Sequence, residues 1–200
     1  MAVTPNYSWP VPVDTDLVKD GAEAIKDLGD AIDSTVFGLP SGGLTLITTA
    51  TFSAVSNFSV NSCFSATYNN YLIIGSTLTN ALRDVGFRLR ASATDSTTGY
   101  YGKELQNYAG APVSKSNASA GFYQVANTTD QGLVTVTIQN PFAAVKTSWF
   151  SNGIAGGGGT FFCNQTSNTH DVASSYDGFS LVPTTGTMTG TLTVYGYRKS

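Results

Sequence analysis

The side chains best suited to catalysis in this 200-residue chain are its single histidine, His170, and the adjacent Asp171. Together with the many hydroxyl groups of the chain, they could form a Ser–His–Asp arrangement for acyl transfer. However, the sequence has no Gly-x-Ser-x-Gly elbow and no nucleophile at a spacing typical of such enzymes. A lone histidine in a polar segment is usually a solvated loop residue, and we expect this of His170.

Metal and glycosidase chemistry has little support in the sequence. One histidine and two cysteines do not provide the ligand cluster that zinc requires. Beyond the first 40 residues the carboxylates are isolated in sequence, which argues against a calcium loop. Two of them could still meet in space as acid and base for sugar hydrolysis, so a cell-wall glycan hydrolase is a third candidate function. We predict no enzyme activity, no cofactor and no metal.

The two cysteines and a run of four glycines have simpler structural interpretations. Cys63 and Cys163 each follow or precede a phenylalanine, which predicts buried free thiols in the core. The alternative is a disulfide between the two cysteines, which would require their strands to face each other. The glycines at 156–159 resemble a phosphate-binding loop, but neither Lys-Ser/Thr nor a helix follows them, so we predict a flexible hairpin or loop.

Four tyrosines are the best candidates for binding a ligand. Tyr100, Tyr101, Tyr108 and Tyr123 lie in or beside predicted polar loops. A tyrosine ring can stack on a sugar while its hydroxyl remains in water. The four residues are therefore possible glycan contacts, although they could instead pack at strand ends or between subunits.

The composition favours an all-β protein and excludes several partners. Charged residues make up only 12% of the chain, while glycine (21 residues), threonine and serine are abundant. A net charge of −3 argues against nucleic acid as the main partner. No apolar run approaches the roughly 20 residues of a membrane helix, so we expect no membrane insertion. The first five residues lack the features of a signal peptide.

The charges divide the chain into two parts. Residues 1–40 hold seven of the 13 acidic residues but only two of the ten basic ones. We predict an extended, proline-rich lead over residues 1–13, a helix over 14–36, a glycine-rich linker over 37–43 and a β domain over 44–200.

The predicted helix has a narrow apolar stripe. Asp14 or Asp16 can cap its first turn, and Gly38 and Pro40 end it. The residues expected to anchor the protein or join copies of it are Trp9, Val18, Ile25, Leu28 and Ile32. One interpretation docks this stripe on the chain's own β domain. The other, favoured by the lead and the linker, is a short parallel coiled coil of several chains.

The remainder of the chain predicts an antiparallel β-sandwich of the jelly-roll type. Ten short segments show the pattern of strands: 44–50, 57–64, 70–78, 85–91, 121–125, 133–139, 146–151, 160–164, 179–182 and 189–197. Long polar loops are predicted over 92–99, 108–120, 156–159 and 165–175. Seven alternating apolar residues are expected inside: Ile73, Phe87, Leu89, Val134, Val136, Leu192 and Val194.

Both ends of the chain resemble virion proteins of tailed bacteriophages. Residues 9–33, WPVPVDTDLVKDGAEAIKDLGDAID, look like the N-terminal segment of such proteins, especially from phages of actinobacteria. Residues 176–198, YDGFSLVPTTGTMTGTLTVYGYR, are similar to the last strands of phage fibre and spike heads. The stretch YNNYLII at 68–74 is like an inner strand of the same domains.

The resemblance implies a non-enzymatic, homotrimeric appendage of the phage particle. Its N-terminal segment would join the three chains or bind other virion proteins, and its β domain would project outward as a short head or tail fibre or decoration knob. The resemblance implies a location in the virion and a role in adhesion to the host surface, while the site of attachment stays open. The alternative is a carbohydrate-binding module that recognises the host receptor.

Overall fold

The computed structural model describes residues 2–13, 17–38, 43–81, 83–108, 111–115, 120–126, 132–157 and 160–198. The chain divides into two compact units, residues 1–42 and 43–199. Each unit is described separately below.

The N-terminal unit is a small hairpin with a helix. Strands β1 (Ala2–Val3) and β2 (Pro10–Val11) pair antiparallel. A single 3₁₀ turn, Val18–Asp20, leads into helix α1 (Gly21–Gly38). The predicted helix is therefore present, but Leu17, which was predicted to be helical, is extended, and the helix ends two residues later than expected. Both proposed capping residues and residues 39–42 of the predicted linker lie outside the described residues.

Residues 2–13 form a hairpin and not the extended lead that the prolines predicted. The chain reverses between β1 and β2, where the amide of Thr4 donates to the carbonyl of Trp9 (2.9 Å). The Trp9 amide in turn donates to the Thr4 hydroxyl (3.0 Å). Ser8 adopts the positive φ of 55° that this tight reversal needs. The prolines are tolerated because a two-stranded ribbon has only edge strands.

The second unit contains only strands and their connections among its described residues. They are β3 (Leu44–Val55), β4 (Phe58–Val60), β5 (Asn70–Thr79), β6 (Arg83–Ala91), β7 (Thr94–Asp95), β8 (Tyr100–Tyr108), β9 (Ala111–Lys115), β10 (Gly121–Ala126), β11 (Gly132–Gln139), β12 (Val145–Gly157), β13 (Thr160–Ser174), β14 (Gly178–Pro183) and β15 (Met188–Tyr197). Each of the ten predicted segments overlaps one of these strands.

The strands form two antiparallel sheets with the connectivity of a jelly roll. In chain order, its eight strands are β3, β4, β5, β6, β10, β11, β14 and β15. The larger sheet holds the first, eighth, third and sixth of these side by side, and the smaller sheet holds the second, seventh, fourth and fifth. The predicted β-sandwich is confirmed. Beyond β11, the larger sheet continues through β12, β13, β8 and β9, and β7 pairs with β6.

Several of the predicted loops contain strands. Residues 165–174 belong to β13, so the loop predicted there is wrong. The segments 92–99 and 108–120 contain β7 and β9. Gly156 and Gly157 end β12, while the next two glycines lie outside the described residues. Polar sequences misled the prediction because strands of the extension carry polar residues on both faces.

The interior changes from apolar to polar along the larger sheet. All seven residues predicted inside are buried. One row of inward side chains crosses six paired strands and reads Val194, Ile73, Val136, Ser151, Thr166 and Glu104. In its polar half, the hydroxyl oxygens of Ser151 and Thr166 lie 2.6 Å apart. These two buried hydroxyls therefore satisfy each other across strands.

Trp149 marks the boundary between the two halves of the interior. Its ring lies 5.4 Å from that of Phe87 on the smaller sheet, and it meets the edge of Tyr100 at 6.1 Å. A Cβ atom added to Gly121 would lie 1.9 Å from Cζ2 of Trp149, so only glycine allows β10 to approach the indole.

Candidate functional site

The exposed side of helix α1 is the strongest candidate for a binding site in the N-terminal unit. Val18 is 97% exposed and Ile25 is 67% exposed. Val18, in the 3₁₀ turn, and Ile25, on the helix, are seven residues apart, and the heptad spacing continues through Ala22, Gly29, Ile32 and Val36. We call these six residues the exposed helix stripe. Apolar side chains repeated along one helix stripe normally face a partner.

The other side of the helix is covered by the chain's own hairpin. The indole Nε1 of Trp9 donates to the hydroxyl of Thr35 (2.8 Å), which donates to the carbonyl of Ala31 (2.8 Å). Ala24 is buried, and Leu28 is half-buried. Trp9 stacks on Tyr7 with ring centroids 5.1 Å apart. Trp9 thus holds the hairpin on the helix within one chain.

Because of these contacts, the exposed stripe of the helix differs from the predicted one. Val18 and Ile25 remain exposed, Ile32 and Leu28 are half-buried, and Trp9 packs within its own chain. Sequence reasoning missed Gly29 and Val36, since the choice between two adjacent stripes depended on a hairpin that the sequence did not predict.

His170 is buried on β13, so its prediction as a solvated loop residue is wrong. Its ring meets the edges of Tyr100 and Tyr176, with centroids at 4.5 and 5.2 Å. Nε2 lies 2.9 Å from the hydroxyl of Ser96 and 3.0 Å from the carbonyl of Thr98. Nδ1 lies 3.2 Å from the hydroxyl of Tyr176. No pattern in the sequence signalled that these residues meet.

Two contacts of His170 suit the tautomer with its proton on Nε2. A carbonyl oxygen can only accept, so Nε2 in this tautomer donates to Thr98, and Nδ1 accepts from the Tyr176 hydroxyl. In this tautomer the ring cannot take a proton from Ser96. The carboxylate of Asp171 pairs with Lys146. These contacts hold the ring in the interior of the sandwich.

Burial lowers the pKa of His170 below its usual value of 6.5. The unfolded chain therefore binds a proton at a higher pH than the folded chain does. We expect the free energy of unfolding to be at its full value above pH 6.5 and to fall as the pH decreases from there towards the folded-state pKa. Thermal melts between pH 7.5 and 5.5 measure this loss.

The variant His170→Asn is the control for this pH dependence. It removes the titrating group, so its melting temperature should fall less steeply over the same pH range, even though the variant is less stable throughout. Equal slopes for the variant and the wild-type protein would assign the pH dependence to other groups.

The structure separates the four tyrosines that were predicted to contact a glycan. Tyr100 is 1% exposed, accepts a hydrogen bond from the Leu89 amide and donates to the Ser96 carbonyl (both 2.9 Å). Its prediction as a glycan contact is wrong, because the ring fills the core. Tyr101 projects from the opposite face of β8 and is 65% exposed. Tyr108 lies on β8 and Tyr123 on β10, and their side chains are outside the described part of the structure.

The two cysteines are free and differ in environment. Cys63 is buried as predicted, and burial raises the pKa of its thiol. Cys163 is exposed on the outer face of β13, so its predicted burial is wrong. Only Cys163 is therefore accessible to reagents in the folded chain.

Within the described residues, no three histidine, cysteine or carboxylate side chains form a group that could hold a metal ion. Among the same residues, no helix has the length and apolar character to cross a bilayer.

Comparison with known proteins leaves the family open. No protein-family model and no curated protein matches the chain. Among solved structures, a chain in the crystal structure of A. japonicus CB05 is similar over 84% of this chain, with 12% identity and a TM-score of 0.36. The present chain spans 28% of that chain's length. A likeness of this degree carries no argument about function.

Proposed function

We propose that the protein is a non-enzymatic structural protein of a bacteriophage virion, a short fibre or decoration knob that assembles as a homotrimer. In this proposal the N-terminal unit binds other virion proteins or joins the three chains, and the jelly roll is the outward domain. The bacteriophage assignment rests on the sequence resemblance at the two ends of the chain.

The observation that carries the proposal is the exposed helix stripe. An apolar stripe that includes a side chain as exposed as Val18 is unfavourable in water unless another surface covers it. The hairpin covers the neighbouring side of the helix but leaves this stripe open. A helix of 18 residues that is covered on one side only is suited to assembly with other chains.

In this proposal, the buried His170 has a structural role. The histidine and its neighbours act as packing and hydrogen-bonding groups. In the polar half of the sandwich interior, several hydroxyl and amide groups bond to one another, such as Asn168 Nδ2 to the Thr166 hydroxyl (2.8 Å). Such networks specify strand register.

Deletion of residues 1–42 tests the proposal. We expect the remaining chain to keep the sandwich, because that unit has its own core, and to be lost from particles because the helix stripe is gone. Incorporation is measured by mass spectrometry of particles purified from cells that express only the truncated chain. Particles that contain the truncated protein at the wild-type level would contradict the proposal.

A point variant provides the matched control. Ile25→Asp removes the apolar character of the helix stripe without touching Trp9, whereas Asp33→Asn changes an exposed polar residue of the same helix. We expect the first substitution to reduce incorporation and the second to leave it unchanged.

A further inference from the structure

The outer face of the larger sheet carries large apolar side chains in register. Leu133 is paired with Ile154, and Phe150 lies two outward rows further on, beside Thr137. Ile74 of β5 and Leu105 of β8 lie in the row between them, which runs across five strands. We call these five residues the outer-face patch.

Each residue of the outer-face patch is exposed in the single chain. Phe150 is 55% and Leu133 59% exposed, and the other three are exposed to a similar degree. The side chains between them are threonine, serine, asparagine and glutamine, and Tyr101 lies at one margin. This face is therefore partly apolar and mostly uncharged, like the centre of a protein interface.

Charge is sparse over the described part of this face. Three charged side chains project from it, and two of these, Lys146 and Asp171, form an ion pair with each other. Lys103 is the third. In contrast, Arg88 and Asp84 project from the opposite side of the sandwich, on β6. Two copies of the outer face can therefore approach each other with little electrostatic repulsion.

The face is large enough for a specific interface. Strands β12, β13, β8 and β9 are spaced about 4.8 Å apart, and with up to four outward rows about 6.8 Å apart they cover roughly 500 Å². Strands β3, β15, β5 and β11 add a similar area. A standard protein interface buries about 800 Å² on each partner.

We propose that the outer face of the larger sheet is the contact between β domains of neighbouring copies of this chain, centred on the outer-face patch. The inference rests on the self-assembly in the proposed function and assigns it a surface. The occupant is a second copy because this face is apolar and nearly uncharged, so the same kind of surface on a neighbouring copy complements it. A sheet face of hydroxyls and apolar side chains can also pack on another such face.

Sedimentation of the full chain at micromolar concentration tests this contact. Phe150→Asp and Leu133→Asp each place a carboxylate in the interface, and we expect either substitution to weaken self-association at least about thirtyfold. Both side chains are exposed in the single chain, so the fold should survive, which far-UV circular dichroism verifies. Thr184→Asp adds the same charge to an exposed loop outside this face and should sediment like the wild type.

Cys163 provides a second readout within the same proteins. It lies beside Ile154 on the outer face, whereas Cys63 is buried. We expect a thiol reagent to modify Cys163 slowly in the wild-type oligomer and quickly in Phe150→Asp. Equal rates in the two proteins would overturn the proposed contact.

The outcomes separate this inference from the proposed function. An oligomeric wild type that stays intact with Phe150→Asp but dissociates with Ile25→Asp would overturn the sheet contact and keep the assembly through the helix. A wild-type chain that is monomeric at micromolar concentration would overturn both.

Discussion

Replacing Val136 by Asp is expected to abolish the folded sandwich. Val136 is fully buried on β11, paired with Ile73 on one side and Ser151 on the other. An aspartate there would either leave a carboxylate without a partner in the apolar half of the core or bind a proton at neutral pH. Each alternative costs several kcal/mol, which is comparable with the about 5–15 kcal/mol that stabilises a typical domain.

Circular dichroism and thermal melting measure this effect. We expect Val136→Asp to show no cooperative transition of the β domain. Gln139→Asp, at an exposed position on the same strand, should have a free energy of unfolding within about 0.5 kcal/mol of the wild-type value. A cooperative melt of Val136→Asp at the wild-type temperature would contradict the assignment of β11 to the core.

Replacing Arg90 by Ala is expected to destabilise the sandwich by about 3–5 kcal/mol. The buried guanidinium group pairs with Asp95, and it donates to the hydroxyls of Ser59 (2.9 Å) and Ser180 (2.7 Å). Its Nε donates to the side-chain carbonyl of Asn61 (3.0 Å). Truncation leaves the Asp95 carboxylate almost enclosed and without its counterion, which is why the loss should be large.

Two further variants separate charge from geometry at this site. Arg90→Lys keeps the charge but loses the planar fork that reaches several acceptors, so we expect an intermediate loss. Arg90→Met combined with Asp95→Leu removes both charges and should be more stable than Arg90→Ala alone. Urea unfolding gives the three values, and an Arg90→Ala variant within about 0.5 kcal/mol of the wild type would show that the network adds little.

Strand β11 could be predicted from sequence, but β13 could be predicted only at its start. In β11 the residues Val134, Val136 and Ile138 alternate with polar ones, so burial follows directly from the period of two. In β13 both faces are polar, and Asn164, Thr166 and His170 are buried only because neighbouring strands cover them. A hydrophobic pattern cannot report burial of side chains whose partners are other polar groups.

The helix shows the same limit in a different form. Its apolar residues predicted that a stripe existed, yet the side left open depends on the hydrogen bond from Trp9 to Thr35. That bond exists because the chain reverses after Thr4, and the prolines of this segment gave no sign of the reversal. The buried His170 cluster was likewise invisible, since Ser96, Thr98 and Tyr176 approach it from different segments.

The number of residues between two contacting side chains sets the order in which contacts can form during synthesis. Trp9 and Thr35 are 26 residues apart, whereas the hydroxyls of Thr49 on β3 and Thr193 on β15, which meet at 3.2 Å, are 144 residues apart. At about 5–20 residues per second, a ribosome needs roughly 8–30 s to make the intervening chain. The helix and its hairpin can therefore be complete while β3 still waits for β15. Helices on neighbouring ribosomes of one messenger can meet during this interval, so that copies are joined at their N-terminal units before their β domains have closed.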